Sequence, residues 1–376
     1  MNNVIALIDL HNTTDLGLLT KNRPIASTTF LGRYAFIDFT LSNLSNSGID
    51  DIGILIQDHS RSIIKHFGGG KNTYLKNPKT GFQNMFINEK ALQNQVFNTD
   101  INNILENDWF LYDNNFKYVV ICPVNYLMHI DYNEILNEHI ASKRQVSMLV
   151  SAVTNGDEKC LIGCEKVTVD ALGDVQKIEN NDGKEEKICV SLQTYIFNCD
   201  FLREVLAKSN NISATFNINN LVSYICSYIE KVHAIKFTGY FRRLASLESY
   251  YNASMEMLGE SNKTLIYNLF RDNWPIYTLT HNSRPVLYGE KADVDNSLIA
   301  NGCTVNGTVH HSILSRDVTI DEGAIVEDSI IFTNTHVKSG VHLKNVVVDK
   351  HCIFAVQKDV HGEEDKPLYI PQGAHI

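Results

Sequence analysis

The run Ile313-Leu-Ser-Arg-Asp-Val-Thr-Ile-Asp-Glu-Gly-Ala-Ile-Val-Glu-Asp-Ser-Ile-Ile-Phe-Thr-Asn-Thr-His-Val-Lys-Ser-Gly-Val-His-Leu343 carries a row of residues six apart: Ile313, Thr319, Ile325, Ile331, Val337 and Leu343. The row begins earlier, at Ile299 and Val305, with a phase slip before Ile313, and a companion row holds Ala324 and Ile330. Gly or Asn fills many intervening turns, as at Asn301-Gly302, Asn306-Gly307, Gly323 and Gly340. A six-residue period is the signature of a β-helix, in which each short strand pairs with the one a coil below. An antiparallel sandwich would give a period of two without fixed hexads. Such a solenoid has open ends, so it is expected to pack against another domain or subunit.

Upstream, the first 240 or so residues alternate short apolar runs with longer helical stretches. Val4–Ile8, Asp51–Ile56, Lys117–Cys122 and Val146–Ala152 read as buried strands, and Phe36–Ser47 and Tyr132–Arg144 as helices. Uninterrupted apolar strands separated by helices predict a parallel or mixed sheet covered on both faces. Leu161–Asn198 reads instead as an inserted antiparallel lobe, with a polar turn at Asn180–Lys187 and its last strand at Tyr195–Phe197. Tyr250–Leu258 reads as helix, and a loop through Trp274, Pro275 and Pro285 leads on to the hexads. The expected division is an α/β domain over 1–258, a connecting loop over 259–290, and the β-helix with its tail over 291–376.

A chain of 376 residues has room for two domains, and 44% hydrophobic against 20% charged residues excludes wholesale disorder. No apolar stretch approaches the ~18 residues of a membrane span, and Val4–Ile8 is too short and lacks the basic flank of a secretory signal. Thirty-three Lys+Arg against 43 Asp+Glu, a formal charge of −10, argues against a nucleic-acid partner. The eight cysteines form no Cys-x-x-Cys pair, and Cys160 and Cys164 have no matching second pair for zinc. Scattered thiols without a secretory signal predict a reducing, cytoplasmic location.

Several stretches sharpen the reading. Leu19-Thr-Lys-Asn22, Phe36-Ile-Asp-Phe-Thr-Leu-Ser-Asn43, Asn46-Ser-Gly-Ile49, Gly53-Ile-Leu-Ile-Gln57, Ile130-Asp-Tyr132, Tyr195-Ile-Phe-Asn198 and Glu248-Ser-Tyr250 occur in that order. Together with the hexads they resemble the glucose-1-phosphate adenylyltransferases (ADP-glucose pyrophosphorylases), from about residue 4 to residue 355. The resemblance implies a Rossmann-like nucleotidyltransferase domain with a mixed sheet, followed by a left-handed parallel β-helix of hexapeptide repeats. That family joins glucose 1-phosphate to ATP and releases pyrophosphate, the sugar phosphate attacking the α-phosphorus, so that catalysis rests on positioning and charge neutralisation. Its implied parts are a glycine-rich loop with an Arg after the first strand, two Asp residues that hold Mg²⁺, and a sugar-phosphate Lys in the inserted lobe.

Each part is altered in this sequence. Where the family loop reads Gly-Gly-x-Gly-Thr-Arg-Leu, this chain has Leu10-His-Asn-Thr-Thr-Asp-Leu16. Only glycine lets backbone N–H groups approach a pyrophosphate closely. Asp15 stands at the Arg position, where a unit charge ~4 Å from a phosphate at an effective dielectric of ~20 is worth ~4 kcal/mol with the wrong sign. The first metal Asp falls on Asn125, in Pro123-Val-Asn-Tyr-Leu-Met128, and the second on Arg243, in Phe241-Arg-Arg-Leu-Ala-Ser246. An amide brings no charge to Mg²⁺, and a guanidinium repels it. Ile178-Glu-Asn-Asn-Asp182 lacks the sugar-phosphate Lys, unless a shifted gap admits Lys177 or Lys184, and Ile25-Ala26 replaces a family Lys-Pro pair.

The expectation is therefore a fold without its chemistry. No catalytic residue, metal ligand or cofactor is assigned, and Asp15, Asn125 and Arg243 mark degenerate positions. By resemblance the chain is a regulatory-type partner of a catalytic subunit in a heterotetramer that supplies ADP-glucose for glycogen synthesis. Residual binding of a nucleotide or sugar phosphate is assigned to Lys21, Arg23, Arg33, Gln57 and Arg243. An active nucleotidyltransferase with a relocated Mg²⁺ site on Asp38 and Asp131 is the alternative, although Asp131 reads as the cap of the helix at Tyr132 and Asp38 as an anchor in the sheet. A β-helix acyltransferase would need His310, His311, His336 or His351 as base, but five coils behind a large domain are short for it.

Overall fold

The computed structural model describes residues 4–11, 15–67, 83–87, 95–113, 116–209, 213, 215–258, 263–279, 281–355 and 358–376. They form two compact units, each discontinuous in sequence. The first is Met1–Thr13, Phe39–Arg243 and Trp274–Tyr277; the second is Thr14–Asp38, Leu244–Asn273 and Thr278–Ile376.

The first unit is built on a nine-stranded mixed sheet. Its strands are β1 (Val4–Asp9), β2 (Asp51–Ile56), β3 (Gln83–Ile87), β4 (Tyr118–Pro123), β5 (Val146–Val153), β6 (Glu165–Val169), β7 (Val175–Asn180), β8 (Ile188–Asn198) and β9 (Val232–Lys236). The order is β7-β6-β8-β4-β1-β2-β3, with β5 also paired to β8 and β9 paired to β5. β1 lies parallel between β2 and β4, with Leu7 opposite Gly53 on one side and Ile121 on the other. Every residue of β1 is buried, as the two-sided cover of a parallel strand requires. Helices Asp100–Glu106, Cys199–Ser209 and Ile218–Tyr228 pack Ile104, Leu202, Leu221 and Ile225 into the same core as Leu7 and Val119.

The antiparallel lobe is continuous with this sheet. β6 and β7 form a hairpin, and the eleven-residue β8 runs antiparallel to both β4 and β5, with a register slip between Ser191 and Tyr195 where Gln193 takes φ +51°. The strand expected only at Tyr195–Phe197 instead runs eleven residues, because its first half pairs with β5 while its second half also meets β4.

In the second unit the hexads become three five-stranded parallel sheets, the left-handed β-helix. In one sheet the register partners Leu287, Thr304, Thr319, His336 and Ile353 are 17, 15, 17 and 17 residues apart. Three strict hexads would take 18, so the 17-residue coils are one residue short and the 15-residue coil is three short. The buried inward row is accordingly Leu314, Ile320, Val326, Ile331, Val337, Leu343, Val348, Phe354 and Val360, stepping by six, six and five. The expected row runs one residue early at its start: Thr319 and Ile325 face outward, Ile325 being 36% exposed, and the rows coincide from Ile331 onward. Ala324 and Ile330 are buried as expected.

The linear division at residue 258 differs from these units for a physical reason. Phe30–Phe36, Phe36–Tyr250 and Tyr250–Phe332 form a chain of ring contacts at 5.0, 6.0 and 6.4 Å, which gathers 14–38 and 244–258 onto the solenoid. The stretch expected as loop, 259–290, contains the helix Lys263–Leu269. All eight cysteines are unpaired. Among the described residues no helix is long and apolar enough to cross a membrane.

Candidate functional site

The carboxyl ends of β1, β2 and β4 mark where an open α/β sheet collects its ligand. Leu10 and His11 follow β1 directly, and both are buried. The His11 backbone N–H donates to Asp9 Oδ1 at 2.8 Å, and its Nε2 lies 3.0 Å from Asn103 Nδ2, which also donates to the Phe86 carbonyl at 3.1 Å. The amide is the donor, so Nε2 accepts and the ring proton resides on Nδ1, buried without a hydrogen-bond partner. Burial lowers the His11 pKa, with Asp9 pulling the other way. An imidazole locked to Asn103 thus occupies the start of what a glycine loop would leave open to phosphate. Asn12–Thr14 lie outside the described residues.

The two positions read as lost metal carboxylates come together. After β4 the chain turns through Val124-Asn125 into the short strand Tyr126–Met128, which pairs antiparallel with Phe241–Arg243, placing Arg243 opposite Tyr126, the residue that follows Asn125. Asn125 is 1% exposed and its Oδ1 has no hydrogen-bond partner among the described residues. Arg243 is 8% exposed, and its guanidinium donates to the carbonyls of Cys160 at 2.7 Å and Ile162 at 3.3 Å. It therefore ties the 160–162 turn to the strand. Burial raises the nearby Glu165 carboxyl, while Ser191, Tyr195 and Arg243 lower it. The Cys160 thiol is pushed up to about 11, by burial first and then by Glu158.

A Mg²⁺ ion of the kind the resemblance implies does not fit these donors. Asn125 offers one neutral oxygen, and the next side chain is a permanent cation. Asp131 accepts from the Asn133 N–H at 2.9 Å as N-cap of the helix Tyr132–Ser142. Asp38, fully buried, accepts from the Ala35 N–H at 2.8 Å and the Thr278 hydroxyl at 2.7 Å; it anchors a helix start and a strap, not a strand.

The remaining expected phosphate binders scatter. Gln57 is exposed just after β2, and Lys21 is exposed in the second unit. Arg23, expected to bind phosphate, is buried: it pairs with Asp349, which also accepts from the Tyr369 hydroxyl at 2.6 Å, and its guanidinium lies 5.9 Å from the Phe332 ring centre. Asp15 accepts from the Gly17 N–H and the Thr20 hydroxyl, each at 2.8 Å, and so caps the turn Gly17–Leu19. Lys177 and Lys184 are exposed, paired with Glu179 at 2.7 Å and Asp182 at 2.6 Å. His310, His311 and His336 pair with Asp293, Asp328 and Asp321 at 3.0, 2.8 and 2.8 Å, and His351 sits at a left-handed turn with φ +62°.

Arg33, one of the expected cations, lines a cavity. Within the second unit, about 600 Å³ is enclosed by Arg33, Arg316, Tyr34, Phe270, His281 and Asn301 over an apolar floor. Arg316 donates to the Leu279 carbonyl at 3.1 Å, and its pKa is lowered by burial and by Arg33. Gly32, at φ +75°, lets this loop pass the solenoid, since a Cβ there would meet the Leu314 carbonyl at 2.8 Å. Arg316 and His281 escaped the sequence reading, because only the folded coil brings position 316 to position 33.

Residues 14–260 match the family model described as nucleotidyl transferase, and residues 285–367 the one described as GlmU-like, C-terminal hexapeptide. The chain is also similar to proteins named glucose-1-phosphate adenylyltransferase from three organisms. That of Desulfitobacterium hafniense is 29% identical, over 96% of this chain and 93% of its own length. Those of Fervidobacterium nodosum and Bacillus cytotoxicus are 29% and 30% identical, over 98% and 90% of this chain and 89% and 88% of their own lengths.

Proposed function

Since this chain belongs to the glucose-1-phosphate adenylyltransferase family, we propose that it acts as a non-catalytic, regulatory partner of a catalytic subunit in ADP-glucose formation. The observation that carries the reading is Arg243, paired opposite Tyr126, the residue next after Asn125, and bonded to the Cys160 and Ile162 carbonyls. A site that must gather a triphosphate, a sugar phosphate and Mg²⁺ has, at a position the family fills with a metal carboxylate, a buried cation already engaged to protein. If the metal supplies ~7 kcal/mol of transition-state stabilisation, its loss lowers turnover about 10⁵-fold.

The role left to the chain is assembly and response. Two guanidiniums and a histidine facing a half-open cavity with aromatic walls suit a phosphorylated small molecule, which would relieve the repulsion between Arg33 and Arg316. Such a ligand would act as an effector, and the partner would be a catalytic subunit in a heterotetramer.

The isolated chain, given ATP, glucose 1-phosphate and Mg²⁺, is expected to release no pyrophosphate above background. Co-expressed with a catalytic homologue from the same source, it is expected to co-purify and to change that partner's rate or effector response. Turnover by the isolated chain would establish instead the alternative of an active enzyme with its own metal site. Failure to co-purify, with the partner's kinetics unchanged, would remove the regulatory reading. Calorimetry with a sugar phosphate should show binding that Arg316→Ala weakens about tenfold, one lost charge-assisted contact at ~1.4 kcal/mol.

A further inference from the structure

The outward face of one solenoid sheet gathers metal-ligating side chains that none of the functions above uses. His342 and Asp359 are register partners on the adjacent parallel strands His342–Lys344 and Asp359–His361. His361 projects on the same side two residues beyond Asp359, because the intervening Val360 turns into the core. One ligand atom from each of His342, Asp359 and His361 lies within 4.8 Å of the others, and the two imidazoles meet edge to face with centres 4.7 Å apart. Among the described residues this is where three such donors converge. The other histidine–carboxylate contacts of the coils are single pairs, as at His310–Asp293 and His336–Asp321.

A second feature sets the site apart. His342 Nε2 is bonded to Glu327 Oε2 at 3.0 Å, across the ladder from the strand one coil earlier. That bond fixes the ring and leaves Nδ1 as the nitrogen available to a cation. Carboxylate–histidine–metal relays have this form, the outer carboxylate orienting the ring and raising its basicity. The side chains of Asp359 and His361 have no other hydrogen-bond partner among the described residues, and both are exposed and able to close by rotation. Closure is small, because tetrahedral bonds of ~2.1 Å place donor atoms about 3.4 Å apart.

We propose that His342, Asp359 and His361 bind a divalent transition cation of the zinc class, with Glu327 as the positioning carboxylate for His342. Two imidazoles and one carboxylate select borderline cations over Mg²⁺ or Ca²⁺, which prefer all-oxygen shells. The bound ion would link the fourth strand of this sheet to the fifth, which is its edge. It would therefore fasten the terminal coil, where a solenoid is most prone to fray.

The test uses the full-length, tag-free chain with Zn²⁺ in calorimetry and Co²⁺ as a visible probe. The expected result is one Zn²⁺ per chain, and weak cobalt bands without the near-ultraviolet charge transfer of thiolate ligation. His342→Ala and His361→Ala should each weaken binding at least tenfold, and Glu327→Gln by about 10–100-fold. His336→Ala, one pair removed from the site, should leave affinity unchanged. Circular dichroism reports whether each variant is folded, and His361 is exposed enough for its removal to be tolerated. Absence of stoichiometric binding, wild-type affinity in the His342→Ala and His361→Ala variants, or thiolate-type cobalt spectra would each overturn the proposal.

Discussion

The cleft at the carboxyl ends of β1 and β4 and the core of the solenoid answer to different rules. In the solenoid every inward position from Leu314 to Val360 is apolar and buried, and one coil's choice repeats the last. In the cleft no two positions are alike: the protein itself engages His11 Nε2 and the Arg243 guanidinium, while Asn125 Oδ1 is buried without a partner among the described residues. His11 meets Asn103, and Arg243 meets two carbonyls. Packing is a sum over many contacts and survives drift. Phosphoryl chemistry needs a few atoms left unengaged by the protein until substrate arrives, and it is lost when those atoms acquire partners.

That contrast can be broken hardest at the buried pair within the second unit. Arg23 and Asp349 are 6% and 1% exposed at their side chains, so removing one partner strands a charge in an apolar setting. Asp349→Ala should cost about 3–5 kcal/mol by denaturant unfolding, with the Tyr369 hydroxyl losing its acceptor as well. A cost under ~1 kcal/mol would mean that Arg23 reaches water readily, as the phosphate-binding role expected of it requires.

A converse change in the cleft sharpens the contrast. Restoring both carboxylates, Asn125→Asp with Arg243→Asp, places two like charges on neighbouring buried positions and deletes the ties to the 160–162 turn. The double variant should lose about 1–3 kcal/mol of stability and regain part of it when Mn²⁺ is added, since a ligand that binds only the folded state stabilises it. Pyrophosphate release should remain near background, because the loop after β1 still begins with His11. Stability unaffected by Mn²⁺ would show that the two positions do not converge on one ion.

The sequence exposed these regions unequally, and for physical reasons. A periodic core announces itself, since every coil repeats the constraint; the one-residue offset at Thr319 and Ile325 went unseen because a 17-residue coil differs from three full hexads by a single residue on one side. The losses at Asn125 and Arg243 were legible as single letters. Their new partners were not: the Arg243 side chain bonds a carbonyl 83 residues away, and Arg33 meets Arg316 only across the folded solenoid. Arg23 misled because its neighbours Lys21 and Asn22 are exposed while it alone turns inward to Asp349.

The titration of the cleft offers a gentler probe. Burial lowers the His11 pKa, so as pH falls through ~6.5 the unfolded chain takes a proton there that the folded chain refuses. Stability should decline from about pH 6.5 down to the depressed folded value, with a slope of at most ~1.4 kcal/mol per pH unit for this one proton. His139, also lowered by burial, contributes in the same sense. His11→Gln, which keeps an acceptor for Asn103, should flatten part of that slope as followed by urea unfolding across pH 5–7. An unchanged slope would show that the ring is already hydrated and the loop open.

The smallest expected effect separates the two readings of Asp131. As an N-cap, its carboxylate satisfies one orphan N–H of the helix Tyr132–Ser142, and Asp131→Ala should cost about 1 kcal/mol, while Asp131→Asn or Asp131→Ser should cost less, since both still accept from Asn133. A metal ligand obeys a different order: asparagine and serine, without charge, would fail nearly as badly as alanine. Ranking the three variants by thermal unfolding, with and without Mg²⁺, therefore distinguishes a cap from a ligand by pattern rather than by size. A magnesium-dependent stabilisation of the parent chain that Asp131→Ser abolishes would make this carboxylate a metal ligand rather than a cap.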